Sequence, residues 1–217
     1  MAGKGRADAL SKQRIIENAI EILDADGQDA LTFRALAARL STGSGAIYWH
    51  VANKDDLLEA TTEDVIARAL AGVGGTEPRR VIRDIAIRVF DAIDTRPWVG
   101  TQLARKPWQS AMLRIFEGIG GQFQAMGIPE PEQFDCASAL VGYILGLAAQ
   151  YSSVAGLRPG ETDRSAFLDT VAAQWTRQDP DDYPFVHRIA AQLREHDDRE
   201  QFLFGIDLIL ASVRTER

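Results

Sequence analysis

The chain has 217 residues, 46% of them apolar, which is enough for one large core or two smaller ones without disulfide or metal staples. Its single cysteine, Cys136, rules out an internal disulfide and fits a reducing cytoplasm. No apolar run approaches the roughly 20 residues that span a bilayer, and no apolar segment follows the basic start, so neither membrane anchor nor signal peptide is expected.

Sheet signals are nearly absent, and helical periodicity recurs along the whole chain. Ser11 to Ala25 places Ile15, Ile16, Ala19, Ile20 and Leu23 on one face, and Gly27 supplies a left-handed stop. Thr32 is a candidate N-cap for a helix that turns Phe33, Leu36, Ala37 and Leu40 inward. A turn at Ser41-Thr42-Gly43 leads into a second short helix carrying Tyr48, Trp49 and His50. Asn53 caps the next helix, with Asp55 and Asp56 in its first turn, where the helix dipole favours acids, and it runs to about Gly72.

Longer helices follow. Pro78 to Asp94 is amphipathic, Pro97 and Pro107 bracket a short element, and Ser110 to Ala125 ends at Gly127. Pro131 to Val154 is apolar on nearly every side. A Gly/Pro loop from Ala155 to Asp163 precedes helices expected at 165–176, 185–195 and 200–213, with a polar loop at 178–184. The pattern predicts an all-α chain of about nine to ten helices: an N-terminal helix-turn-helix three-helix module and a larger C-terminal helical bundle. The domains are then 1–54, a compact N-terminal module, and 55–217, a larger helical body, with 55–72 as the connector helix.

Charge first argues against nucleic acid, because the net charge is -7. Residues 1–54 hold seven Lys/Arg against six Asp/Glu, a net of +1, which leaves -8 for the remainder. Phosphate contact depends on a local basic face, not on the global sum. A recognition helix fits the major groove of B-DNA and needs a partner helix to brace it. Ala37 is small where the two helices would cross, Ile47 and Val51 supply the packing face, Gly43 allows the turn, and Thr42 or Ser44 is a candidate cap. Adjacent Tyr48 and Trp49 cannot both face a core, so at least one is exposed as a phosphate donor. Arg34 and Lys54 add charge, each releasing roughly one counterion. Base reading falls to Ser44, Ala46 and His50, with Gly43 and Gly45 permitting close approach. No Arg, Asn or Gln sits on this helix, so direct readout is modest and positioning and shape carry more.

Thr32-Phe33-Arg34-Ala35-Leu36-Ala37, then Leu40, then Gly45-Ala46-Ile47-Tyr48-Trp49-His50-Val51 with Asn53, Lys54 and Leu57 resembles the TetR family of bacterial transcriptional regulators. The segment from Tyr48 to Lys54 is similar to the tetracycline-repressor branch. So, more loosely, are Leu140 to Gly146 and Phe202 to Leu210. The resemblance implies a cytoplasmic homodimer, by family default a repressor, that binds double-stranded DNA at a palindromic operator. Its DNA contacts carry over to Thr32, Arg34, Ser44, Gly45, Ala46, Tyr48, Trp49, His50 and Lys54. Leu40-Ser41-Thr42 departs from the usual Leu-Gly-Val, and Gly43 stands at the usual polar cap. Tetracycline repressors hold a magnesium-chelated drug with histidines, and this chain has none between Val51 and Val186, so no metal, no cofactor and no tetracycline are expected.

In the body, Ala139, Gly142, Gly146 and Ala149 form a stripe of small residues that lets another helix approach closely. With Phe202, Gly205 and Ile209 they are expected to form half of a four-helix dimer interface, as in the family. Obligate interfaces resemble cores, so the alternative is an ordinary core helix. Phe90, Trp98, Trp108, Met112, Phe116, Tyr143 and Trp175 are candidate pocket residues for a small apolar or aromatic effector. Two other function classes stay open. One is a helical-bundle small-molecule-binding protein or enzyme, although no Glu-x-x-His pair, nucleophile elbow or phosphate loop is present and His187 and His196 are weak metal ligands. The other is an architectural DNA binder that answers to no ligand.

Overall fold

The computed structural model describes residues 10–156 and 164–213, and most of the expected Gly/Pro loop lies outside them. Ser11 caps α1 (Lys12–Ala30), its hydroxyl accepting from the Arg14 N–H at 3.2 Å. Ile15, Ile16, Ala19, Ile20 and Leu23 are buried on one face as the spacing required. The expected stop at Gly27 is a break instead: φ reaches 78° there and the helix resumes for one more turn to Ala30. Glycine takes that backbone without the steric cost a Cβ brings.

Thr32 caps α2 (Phe33–Arg39) by accepting from the Ala35 N–H at 3.1 Å. A tight turn leads to α3 (Ser44–Tyr48), and Asn53 caps α4 (Lys54–Ala69) by accepting from the Asp56 N–H at 2.8 Å. Losing such a cap typically costs about 1 kcal/mol. Asn53→Ala is therefore expected to lower stability by about 1 kcal/mol in denaturant titration, while Asn53→Asp leaves it nearly unchanged.

The body is built from α5 (Pro78–Thr95), α6 (Pro97–Arg105), α7 (Ser110–Ala125) and α8 (Glu130–Gly156), closed by α11 (Asp198–Ser212). Pro78 sits in the first turn of α5, where its missing N–H is no loss, and the Glu77 carboxylate accepts from the Arg79 and Arg80 N–H groups. α5 packs against α7, α8 and α11, and α4 lies between α1 on one side and α7 on the other. α9 (Arg164–Thr176), α10 (Pro184–Ile189) and a 3-10 segment (Ala190–Glu195) pack on one another as an arm. The helix expected at 185–195 is split between the last two. The all-α architecture is as expected. Counting the five-residue α3 and six-residue α10 separately brings the described α-helices to eleven. No helix among the described residues is long and apolar enough to cross a membrane.

An aromatic stack ties α5, α8 and α11 together. Phe202 is fully buried between Phe90, with ring centroids 4.4 Å apart, and Tyr143, at 5.8 Å. The Tyr143 hydroxyl donates toward the Gln201 and Phe202 carbonyls, each 3.3 Å away, and its burial pushes the phenol above its usual range. A side chain at Gly205 would collide with that hydroxyl. Phe202 therefore belongs to the subunit's own core, while Gly205 is half-buried where α11 meets Tyr143. Ile209 is half-buried. The large apolar residues that α11 turns outward are Phe204 and Leu208, 64% and 56% exposed and one turn apart. On α8, Ala139, Gly142, Gly146 and Ala149 are all exposed on the single subunit.

Candidate nucleic-acid interface

The reader is formed by α2, α3 and the turn between them. Leu36, Ala37, Ile47 and Val51 are buried where the two helices brace each other. The turn is made by Ser41, not by Gly43: Ser41 takes φ 52°, and its N–H and that of Thr42 bond back to the Ala38 and Ala37 carbonyls. Gly43 has φ -83° and occupies the N-cap of α3 with no side-chain bond, so neither Thr42 nor Ser44 caps the helix. The first N–H groups of α3 keep no side-chain partner, and their end points outward with Ser44 and Gly45 exposed. A Cβ at Gly43 or Gly45 would meet nothing within 4 Å, so both positions are open to an approaching backbone.

Helix α3 stops at Tyr48, one residue short of Trp49 and His50. These two lie in a closing turn, because the His50 N–H bonds to the Ile47 carbonyl at 2.9 Å, a three-residue step that tightens the end. Tyr48 is 54% exposed and its ring stacks flat on Phe33, with centroids 4.4 Å apart and 5° between planes. Trp49 is 90% exposed. Thr32, Arg34 and His50 are exposed beside them, and Ala46 is half-buried. The Thr32 hydroxyl spends its acceptor on the cap and keeps its proton for an outside partner.

The charges are arranged less freely than the sequence suggests. Arg39 pairs with Glu21. The Lys54 ammonium donates to the Gln28 carbonyl at 2.7 Å, tying the start of α4 to the end of α1 and leaving two further donors. Of the nine predicted DNA residues, Thr32, Arg34, Ser44, Gly45, Tyr48, Trp49 and His50 are exposed, Ala46 is half-buried, and Lys54 is partly committed to holding the start of α4.

The seven candidate pocket residues are not brought together. Phe90 and Tyr143 belong to the stack with Phe202. Trp98 is buried and its indole N–H donates to Asp24 at 2.8 Å. Trp108 is 70% exposed, Met112 is buried and Trp175 sits half-buried on the arm. Phe116 alone of the seven lines a groove of about 950 Å³ between α7 and α8, with Leu113, Arg114, Gln133 and Phe134 around it. Periodicity marks all seven positions as facing something, but it does not tell a core from a pocket. The Cys136 thiol is raised by its burial and by Glu132 and Asp135, which disfavour the reactive thiolate. His187 bonds the Thr176 carbonyl at 2.9 Å, joining α10 to the end of α9, and His196 lies 3.2 Å from Asp198 at the start of α11. Among the described residues no group of three His, Cys, Asp or Glu could hold a metal ion.

Residues 15–61 match the bacterial regulatory proteins of the tetR family, and residues 84–217 match the tetracyclin repressor-like C-terminal domain. The tetracycline repressor protein class D of Escherichia coli is 27% identical over 210 residues, 93% of this chain and 88% of that protein. The HTH-type transcriptional repressor DrrR1 of Streptomyces coeruleorubidus is 28% identical over 166 residues, 74% of this chain, and the match spans only 61% of DrrR1. A TetR transcriptional regulator of Streptomyces coelicolor has a solved structure similar to this one, with a TM-score of 0.86 at 47% identity, covering 94% of this chain and 97% of that one.

Proposed function

The chain belongs to the TetR family of bacterial regulatory proteins, and from that premise we propose that it is a ligand-responsive repressor that binds a palindromic operator as a homodimer. The observation that carries the DNA reading is the exposed Tyr48-Trp49 pair at the end of α3, braced from behind by Phe33. A 90% exposed indole is costly in water unless a partner covers it, and its N–H suits a phosphate oxygen. Residues 1–54 are the reader, α4 is the connector, and residues 55–217 bind the effector and dimerise.

The dimer face joins the exposed small-residue stripe of α8 to Phe204 and Leu208 of α11. The effector is a small apolar or aromatic molecule. Its entry is the groove at Phe116, whose volume lies within the range of ligand sites. Binding tilts α4 and changes the spacing of the two readers, which must lie about 34–36 Å apart to meet successive major grooves. The effector favours the state in which that spacing is lost. An architectural DNA binder would show no stabilisation in a thermal-shift screen of apolar metabolites, and a regulator shows at least one hit that also releases operator DNA.

The reader assignment is tested by splitting charge from contact. Arg34→Ala removes one cation, so the slope of log affinity against log salt flattens by about 0.9. Tyr48→Ala removes a neutral donor, so affinity falls about tenfold while the slope stays unchanged. Equal slopes for Arg34→Ala and the parent chain would remove Arg34 from the interface.

A further inference from the structure

The reader is fastened to the body at a place the connector does not explain. Asp24, near the end of α1, uses both carboxylate oxygens on the start of α6: one accepts the Trp98 indole N–H at 2.8 Å, the other the Arg96 Nε–H at 3.0 Å. Four residues further along α6, and beyond the Gly27 break in α1, the Gln28 side-chain carbonyl accepts from the Gln102 amide at 3.0 Å. The spacing is four residues on each helix, so the two pairs are successive rungs between α1 and α6. Trp98 and Gln102 are buried, while Asp24 and Arg96 are about one-third exposed.

The rungs connect at both ends. On the body side the Gln102 carbonyl accepts from Gln109, itself buried, in the turn that leads to α7. On the reader side the Gln28 carbonyl accepts from Lys54 at the start of α4. Gly27, with its positive φ, lies between Asp24 and Gln28, so the last turn of α1 joins the rest of α1 at a break. α4 has its own ties to the body: Lys106 lies 3.8 and 3.7 Å from Asp55 and Glu59, Arg114 pairs with Glu63, and Arg88 donates to the Ala69 carbonyl at 3.1 Å. The Lys106 pairs are loosely spaced and weak, whereas the Asp24 bonds to the buried Trp98 indole and to Arg96 are charge-assisted hydrogen bonds, as is the Arg114–Glu63 pair.

We propose that Asp24, Trp98 and Arg96 form a latch through which α6 sets the orientation of the reader directly, by way of α1, in parallel with the connector. The inference rests on the repressor reading given above: the effector-free chain holds the DNA-competent orientation, and the latch maintains it. Asp24 and Trp98 are positioning residues and touch no DNA. Opening the latch spreads the reader over several orientations, and apparent operator affinity falls with the competent fraction.

The test compares the full-length parent with Trp98→Phe, which keeps the packed ring and deletes the donor, with Asp24→Asn, and with the double variant. Arg96→Gln serves as a partly exposed alternative if Trp98→Phe does not fold. Amide hydrogen exchange is followed over residues 24–31 and 97–105, alongside operator titration without effector, using DNA selected by the parent. Each single variant should speed exchange in both segments together and weaken operator binding about tenfold, and the double variant should do no more than Asp24→Asn alone. Lys106→Gln, which breaks only connector pairs, should leave exchange at 24–31 unchanged. Unchanged exchange in the single variants, or additive effects in the double, overturns the latch. A parent chain that selects no DNA sinks the repressor reading instead, and the exchange experiment still decides whether α1 and α6 are coupled.

Discussion

Phe204→Asp combined with Leu208→Asp is expected to convert the proposed dimer into a folded monomer and to lower operator affinity by about 10²–10⁴-fold. Both side chains are more than half exposed on the single subunit, so the charges enter no core and the subunit's own melting changes little. In the dimer the same carboxylates would be buried without partners at an apolar face, which is strongly unfavourable. A monomer docks one reader at a time. It loses the second contact, which in the dimer is presented at high effective concentration. Sedimentation velocity and operator titration on one preparation check both halves of the expectation. A variant that remains dimeric would place the interface elsewhere.

Phe202→Ala is expected to destabilise the subunit by about 3–5 kcal/mol, the usual cost of emptying a buried aromatic site. Phe202 is fully enclosed between Phe90 and Tyr143, and α11 approaches α8 closely because Gly205 leaves room for the Tyr143 hydroxyl. The loss leaves a cavity between three helices and removes one ring from the stack. Because the residue lies inside the subunit, the loss is expected in the midpoint of chemical denaturation at a protein concentration where the parent is fully associated. An unchanged unfolding midpoint with weakened association would return Phe202 to the interface.

These two variants mark where the sequence was legible and where it was not. Thr32 and Asn53 could be read as caps because a cap is a local event: an oxygen two or three residues before the N–H it accepts. The face of α1 could be read because its apolar residues recur at helical spacing among polar ones. The last helix offers no such contrast. Phe202, Leu203, Phe204, Ile206, Leu208, Ile209 and Leu210 cover nearly every direction, so nothing in the spacing says that Phe202 turns in and Phe204 turns out. Ser41 was missed as the turn residue because Gly43 is the better candidate by propensity, yet the chain takes the positive φ two residues earlier. The Asp24–Trp98 bond joins residues 74 apart, and only the packing of α1 on α6 brings them together.

The central claim is that Thr32 to Lys54 is one half of a paired DNA reader. Selection of bound duplexes from a random pool by the full chain tests it most directly. The expected product is an inverted repeat whose half-site centres lie about 34–36 Å apart, one helical turn of DNA, and its enrichment should vanish with Tyr48→Ala and Trp49→Ala combined. Recovery of no enriched sequence, or of the same repeat by the doubly substituted reader, would contradict the account.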